Sequence, residues 1–360
     1  MSKKSMIQYA NNDSKSVFKK AVLMKKILRI LLVLVLVFMT SSFWFTPLVN
    51  WIQNIHPAAN LLKSGEVPKT SLTQPEDQTF ALANVEIGQN KASVKKKLGH
   101  LQRETANEFG LTWSSYHNDY QNFVAVMYDR KGIVQGLYTN QALLSSKKGV
   151  DFSSRRKDVQ KELGKGLNKI PYQDFYLEID SKDQYDIYLI DGNYITFFYD
   201  IHDSNKVTAV QIINQKLEES KESPYVLSNS SLQSAFEYQL FDLTNAERVK
   251  RGYSLLDFNK NIRQTARKHS ADMAKNNYFD HNDLAGNSPF DRLQADGIVY
   301  QSAGENIAQG QTSSIYAHQG LMNSAGHRKN ILYAAYDELG VGLAFDKEHV
   351  PYYTENFIGK

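Results

Sequence analysis

HNDLAGNSPFDRL, AGENIAQG and NSAGHRKNIL, at residues 281–293, 303–310 and 323–332, are the stretches around which this chain is organised. Two histidines and a glutamate are spaced across them, with signals for helix starts and turns in between. These side chains are His281, Glu305 and His327. Two imidazoles and one carboxylate that converge on a cleft form a ligand set for a divalent metal ion, with an open position for water.

Charge is distributed unevenly along the 360 residues. Residues 1–29 contain 8 Lys and Arg against 1 Asp, a net charge of +7. Residues 30–235 contain 21 basic against 22 acidic side chains (net −1), and residues 236–360 contain 13 against 15 (net −2). Because the basic excess is confined to an N-terminal arm, no nucleic-acid partner is expected. The absence of cysteine excludes disulfides and cysteine-ligated metals.

A basic arm at residues 1–26 precedes an apolar run, ILRILLVLVLVFMTSSFWF, at residues 27–45. The run is long enough to span a bilayer, and the positive charges before it place the N-terminus inside the cell. The aromatic residues at 43–45 fit the interfacial belt of an uncleaved anchor, although small residues just before them leave a cleaved signal peptide as an alternative. The sequence therefore predicts a single-pass membrane protein with extracellular C-terminal domains, or a secreted protein if the segment is cleaved.

A linker is predicted at residues 46–79, followed by an α+β accessory domain at 80–218 and a second linker at 219–235. The accessory domain contains an internal repeat, because VKKKLG at 94–99 returns as VQKELG at 159–164. Each copy predicts a short helix ending on glycine and followed by three strands, so we expect two units of a helix packed on a three-stranded antiparallel sheet. Alternating aromatic residues in the strands indicate core packing, with a glycan-binding platform as the alternative.

The remaining residues, 236–360, predict helices first and two strands last, at 339–345 and 352–359. Polar side chains are expected on the loops between them, including the loop that carries Gly304-Glu305-Asn306. Helix N-caps are predicted at Ser234 and Ser288, a helix is predicted to follow Asn259, and another is predicted from Ser313 to about Asn323. His269 lies on the apolar face of the second helix, which is typical of a core histidine bonded to a neighbour.

Six segments of this region, in this order and spacing, resemble the CAP superfamily, the SCP-like module of cysteine-rich secretory proteins, plant pathogenesis-related proteins and venom allergens. They are HSADMAKNNYFDH (269–281), SPFDRL (288–293), GENIAQG (304–310), SAGHRKNIL (324–332), DELGVGLAF (337–345) and YYTENF (352–357). The resemblance implies an α/β/α sandwich with a central cleft over residues 236–360, in a short bacterial form. The preceding domain resembles the CAP-associated domain of some bacterial surface proteins. The fold class expected for the whole chain is α+β, with an N-terminal transmembrane helix.

The family's cleft carries two histidines and two glutamates. The resemblance maps the first histidine onto His281, the first glutamate onto Glu305 and the second histidine onto His327. Ser324 stands where the second glutamate would be. His281, Glu305 and His327 are therefore the candidate metal ligands, for Zn²⁺, and the candidate catalytic residues. No other cofactor is expected.

Several functions fit these features. The leading prediction is an extracellular, membrane-tethered binding or interaction module for a cell-envelope or host ligand, such as a lipid, a glycan or a cell-wall polymer. The alternative is a metal-dependent extracellular hydrolase or peptidase that uses His281, Glu305 and His327. Metal-free acid–base chemistry, with Glu305 orienting one histidine, and a purely structural role are also compatible with the sequence. Whether the chain is an enzyme stays open at this point.

Overall fold

The computed structural model describes residues 70–360, all within one compact unit, Leu61–Lys360. The predicted basic arm at 1–26 and the predicted membrane segment at 27–45 lie outside the described residues, as does most of the predicted linker at 46–79. Within 70–360, no helix has the length and apolar character needed to cross a membrane.

The accessory domain is built on one seven-stranded antiparallel sheet, ordered β2-β3-β4-β5-β11-β10-β9. Its strands are β2 (Leu101–Ala106), β3 (Thr112–Asn118), β4 (Gln121–Tyr128), β5 (Val134–Thr139), β9 (Tyr185–Ile190), β10 (Asn193–Asp200) and β11 (Lys206–Asn214). The repeat is real, but its two sheets are joined, because β5 pairs with β11 from Gly136↔Ile213 to Thr139↔Val210. Two small hairpins flank the sheet, β1 (Phe80–Leu82) with β6 (Leu144–Ser146) and β7 (Lys169–Pro171) with β8 (Tyr176–Glu178).

The helices of the two repeats, α1 (Lys91–Leu98) and α2 (Arg156–Leu163), lie on one face of this sheet. Each buries a single valine, Val94 or Val159, in the same apolar core. Each also ends on a glycine with a positive φ, as the two VxKxLG copies predict. A third helix, α3 (Gln215–Glu219), follows β11.

The second face of the sheet is also buried. Trp113, Phe123 and Phe198 pack there against helix residues of the C-terminal domain, among them Leu243 and Ile315. This two-sided burial explains why β10 is buried along its whole length. The interpretation of these buried strand aromatics as core residues is therefore confirmed, and they form no exposed platform for a glycan.

The C-terminal domain has a four-stranded sheet ordered β12-β14-β15-β13, with β12 parallel to β14 and the other pairs antiparallel. Its strands are β12 (Asp257–Phe258), β13 (Ser302–Gln309), β14 (Glu338–Phe345) and β15 (Pro351–Gly359). Its helices are α4 (Ser230–Lys250), α5 (Lys260–Asn276), α6 (Pro289–Ala295), α7 (Ser314–Asn323) and α8 (Ala325–Ile331).

Alternate residues of β14 and β15 face opposite layers of helices. On one face the sheet packs against α4, α7 and α8, and on the other it packs against α5 and α6. The expected α/β/α sandwich is thus present. The predicted cap Ser288 accepts a backbone hydrogen bond as expected, and the helices predicted after Asn259 and from Ser313 are capped by those two side chains. Ser234 was the wrong cap for α4, because Asn229 caps it and Ser234 accepts a hydrogen bond from Arg267.

Polar contacts reinforce the apolar interface between the two domains. The pairs are Arg103–Asp242 at 2.8 Å, Tyr120–Asp242 at 2.8 Å, Asn140–Glu247 at 3.2 Å, Gln319–Tyr138 at 3.0 Å and Arg328–Asp200 at 2.8 Å. Most of these side chains are buried, so water competes little for their hydrogen bonds and ion pairs. The two domains therefore pack as one body.

Candidate functional site

Glu305 lies on strand β13, paired opposite Asn356 of β15, and not on the loop predicted for it. The loop prediction was wrong because Gly304 and Gly310 bracket a polar segment, which is typical of a turn. Gly304 is needed for close side-chain packing and not for a turn. A Cβ at this position would collide with the Tyr336 hydroxyl and the Asn330 amide, so glycine lets these side chains approach the strand.

The Glu305 carboxylate is held between two side chains. His281 Nδ1 lies 3.0 Å from Oε1, and the Arg292 guanidinium donates to Oε2 at 2.7 Å. The glutamate side chain is 2% exposed, whereas that of His281 is 48% exposed. The hydrogen bond to Glu305 raises the pKa of His281 despite its partial burial, since it stabilises the imidazolium.

Arg292 is a site residue that the sequence analysis missed. It also donates to the backbone carbonyl of His281 at 2.9 Å, so it fixes the loop as well as the carboxylate. Helix α6 positions it, and that helix starts with a capping box between Ser288 and Asp291. Arg292 lies in SPFDRL, the segment that was used to place a helix start and as part of the family resemblance, but not to assign a site residue.

His269 supports the same loop from below. Its ring is buried, and Nε2 donates to the backbone carbonyl of Asp280 at 3.0 Å. The prediction of a core histidine bonded to a neighbour is confirmed. Its contact anchors the residue immediately before His281, which lets the exposed imidazole keep a defined position.

His327 lies in α8 and joins the site through its backbone. Asn306 Nδ2 donates to the His327 carbonyl at 3.2 Å and to Glu355 Oε2 at 3.0 Å, while Asn330 donates to the Glu305 carbonyl at 3.1 Å. Burial lowers the pKa of the His327 ring, and the nearby His281 lowers it further. The two histidines are therefore close enough to interact electrostatically, with pKa values shifted in opposite directions.

Glu355 forms the floor of this network. Thr244 donates to its Oε1 at 2.9 Å, and Asn306 occupies Oε2. Burial raises the pKa of Glu355 to about 7, although these two hydrogen bonds partly offset the effect. The segment YYTENF did not predict that Glu355 belongs to the site. The alternating pattern of a strand does not show which side chains pack against a given residue.

Ser324 caps the junction between α7 and α8 without a side-chain capping bond. Glu305 orients His281 and not His327, so the three residues do not form a Ser–His–Glu relay through His327. This agrees with the absence of a nucleophile-elbow sequence around Ser324.

The predicted metal set does not fit the arrangement of these side chains. Among residues 70–360, no group of three or more His, Asp and Glu side chains is placed to hold a metal ion. Both Glu305 oxygens already accept hydrogen bonds, and the guanidinium of Arg292 opposes a second cation beside it. Zinc binding by His281, Glu305 and His327 stays a prediction, and it would require Glu305 to release Arg292.

The sequence profile described as the cysteine-rich secretory protein family, CAP, matches residues 241–357. Residues 241–357 of this chain form a CAP domain. A second profile, the CAP-associated N-terminal domain, matches residues 87–225, which is most of the accessory domain. Both resemblances inferred from the sequence are confirmed.

Two curated relatives from Bacillus subtilis (strain 168) match the CAP domain. The uncharacterized protein YkwD is 44% identical over 127 residues, which are 35% of this chain and 48% of YkwD. The uncharacterized membrane protein YlbC is 42% identical over 127 residues, 35% of this chain and 35% of YlbC. The matched region thus spans about half or less of each relative.

Solved structures match both domains together. An extracellular protein containing a SCP domain from Bacillus anthracis str. Ames superposes with a TM-score of 0.66 at 25% identity, covering 82% of this chain and 100% of that one. A cysteine-rich secretory protein from Staphylococcus aureus subsp. aureus Mu50 gives a TM-score of 0.61 at 16% identity, covering 80% and 95%. The second likeness shows the fold alone.

Proposed function

We propose that this chain is an extracellular CAP-domain protein that binds a cell-envelope or host ligand of the lipid or glycan class without converting it. The observation that carries this proposal is the state of Glu305. Its two oxygens are committed to His281 and Arg292, in a side chain that is 2% exposed. A carboxylate held in this way orders a loop and is not free to act as a base or nucleophile.

The proposed location combines two kinds of support. The apolar run at 27–45 predicts a membrane anchor that places the later domains outside the cell. The Bacillus anthracis structure is described as extracellular, and YlbC is described as a membrane protein. We therefore propose a protein tethered to the outer side of the cell membrane.

A hydrolase is the second candidate, and the His281–Glu305 contact favours it. A carboxylate that holds Nδ1 leaves Nε2 of an exposed imidazole free, which is how a general base is oriented in metal-free hydrolases. The metal-dependent form would instead use His281, Glu305 and His327 as ligands. It predicts near-stoichiometric zinc in the purified chain, and an affinity for added zinc that falls when all three are replaced by alanine.

The binding proposal is tested with the full chain in mild detergent, incubated with insoluble peptidoglycan and sedimented. Expected is retention of the chain on the pellet, with no soluble fragments detected by mass spectrometry. Arg292→Ala should weaken retention because it frees the His281 loop, while Lys347→Ala, at a side chain that is 89% exposed, serves as the control. Release of fragments that stops in His281→Ala would overturn the binding proposal and favour the hydrolase.

Lipid is the other proposed ligand class, and it needs its own measurement. The detergent-exchanged chain is extracted with organic solvent, and copurified lipid is identified by mass spectrometry. A lipid that is retained by the wild-type chain and lost in Arg292→Ala supports the lipid class. Equal recovery from both proteins assigns the lipid to the predicted anchor.

A further inference from the structure

A cleft of ≈ 810 Å³ lies between the accessory domain and the CAP domain. Its walls come from β9 and β10 on one side and from β13 and α7 on the other. Its lining includes Ser324 and His327 of the candidate site and the β8–β9 turn around Lys182. The volume suits a ligand of several rings, and the accessory domain supplies half of the enclosure.

Two acceptors in the cleft wall have no partner within the described chain. Glu108 Oε2 and Gln311 Oε1 are buried and accept no hydrogen bond from residues 70–360. Glu108 belongs to the accessory domain and is 9% exposed, while Gln311 belongs to the CAP domain. A ligand that satisfies both must bring hydrogen-bond donors to this wall.

The charge around Glu108 shows which kind of donor fits. Glu218 already accepts from Lys221 Nζ at 2.8 Å and from the Tyr172 hydroxyl at 3.1 Å. Lys221 also lies 4.2 Å from the centre of the Phe109 ring. Glu108 and Glu218 therefore share a single ammonium group, that of Lys221. An ammonium group from a ligand would neutralise the second carboxylate and lie beside an aromatic ring.

Apart from Glu178, Asp180 and Lys182 at the β8–β9 turn, the rest of the lining is uncharged or imidazole and rich in amides. Five glutamines face the cleft: Gln184, Gln211, Gln309, Gln311 and Gln319. An amide both donates and accepts, as a sugar hydroxyl does, and Tyr185 and Tyr316 add ring faces on which sugars stack. This combination favours a glycan over an alkyl amine.

A peptide is a poorer match for the same wall. β13 is an edge strand, but side chains occupy one carbonyl within it and one just after it. Asn330 donates to the Glu305 carbonyl at 3.1 Å, and the Tyr225 hydroxyl donates to the Gly310 carbonyl at 2.9 Å. An extended peptide would have to displace these contacts to add a strand.

We propose that the cleft between the two domains binds a glycan bearing unsubstituted amino sugars, with the ligand ammonium beside Glu108 and its rings along the tyrosines. The inference rests on the binding function proposed above and names the ligand chemistry. It also gives the accessory domain a purpose, since Glu108, Glu218 and Lys221 all come from residues N-terminal to the CAP domain. Burial raises the pKa of Glu108 to about 7, so an arriving ammonium is expected to displace a proton from it.

The probe is the β-1,4-linked glucosamine tetramer, with its fully N-acetylated form and a lysine-containing tetrapeptide for comparison. Calorimetry on the full chain in detergent at pH 7 should give at least tenfold tighter binding of the glucosamine tetramer than of either comparison ligand. Glu108→Gln keeps the side-chain shape and should remove this preference. Glu162→Gln, at an exposed carboxylate of α2 that does not line the cleft, is the matched control and should leave it unchanged.

Proton release provides a second readout that a folding defect cannot imitate. The net number of protons exchanged on binding at pH 7, obtained from the difference between the binding enthalpies in phosphate and in Tris, should differ between wild type and Glu108→Gln, because only the wild type has a carboxyl group there that can release a proton. Equal binding by wild type and Glu108→Gln, equal binding of the N-acetylated tetramer, or tighter binding of the peptide would overturn the inference. If peptidoglycan is retained while the tetramer is not bound, the inference fails and the binding function stands.

Discussion

Asp200 joins the two domains more strongly than any surface pair, and replacing it tests how they are held together. Arg328 donates to both of its oxygens, at 2.9 and 2.8 Å, and Arg251 donates to Oδ2 at 2.9 Å. The backbone N–H of His202 adds a fourth hydrogen bond at 2.9 Å. These partners outweigh the effect of burial and lower the pKa of Asp200 from 3.8 to about 2.

The size of the effect follows from that shift. At about 1.4 kcal/mol per pKa unit, the ionised Asp200 contributes about 2.5 kcal/mol to the free energy of unfolding. Asp200→Asn should remove at least this much at pH 7, because it also leaves two guanidinium groups without their carboxylate. The folded pKa is below the unfolded one, so the contribution is complete above about pH 5 and is lost as the pH falls through 2. About half of it should remain at pH 3.

Urea unfolding of the full chain, followed by circular dichroism at pH 7, 5 and 3, measures this difference. Asp203→Asn is the control in the same turn. Asp203 pairs with Lys206 at 3.1 Å between side chains that are 54% and 40% exposed, so its loss should cost about 0.5 kcal/mol. The reasoning is refuted if the two variants are equally stable at pH 7, or if the gap between wild type and Asp200→Asn does not narrow on acidification.

Three further predictions concern stability. Gly342→Ala should prevent folding, because a Cβ would overlap the backbone of α5, whereas Gly320→Ala in α7 meets open space and should raise the melting temperature. Wild type should lose stability between pH 5 and 8, since the folded pKa of Glu355 is about 7 against an ordinary 4.5, and Glu355→Gln should flatten that profile in urea titrations at each pH. Arg248→Lys should lower the free energy of unfolding, measured by urea denaturation, by about 3 kcal/mol, because the buried guanidinium donates to four backbone carbonyls that one ammonium cannot satisfy. Retention of wild-type stability in Arg248→Lys would contradict this.

Local features of the fold were predictable from the sequence because they depend on neighbouring residues. The caps Asn259 and Ser288 act on amides two and three positions away, and β14 and β15 match their predicted bounds, 339–345 and 352–359, to within one residue. The joining of the two repeats was not predictable. It depends on β5 and β11 pairing across some seventy residues of chain, and either strand could equally have stayed at an edge.

The residues of the candidate site were likewise predictable only in part. His281 and Glu305 were placed by resemblance, and they do meet. Arg292 was missed because its contact with Glu305 forms only in the folded chain and is not indicated by the spacing of the two residues in the sequence. The role of Glu108 was not predictable for the same reason. Its neighbours Glu218, on α3, and Lys221 approach it only in the folded domain, where the two meanders form one sheet and α3 packs against it.

The β5–β11 pairing also bears on where the accessory domain came from. The strand order β3-β4-β5 followed by β11-β10-β9 is a palindrome about the central antiparallel pair. This is the arrangement of a two-fold symmetric homodimer whose subunits have been fused into one polypeptide. Each half on its own would expose an unpaired edge, so separately expressed halves should reassociate through β5 and β11, and an isolated first half should form dimers with itself.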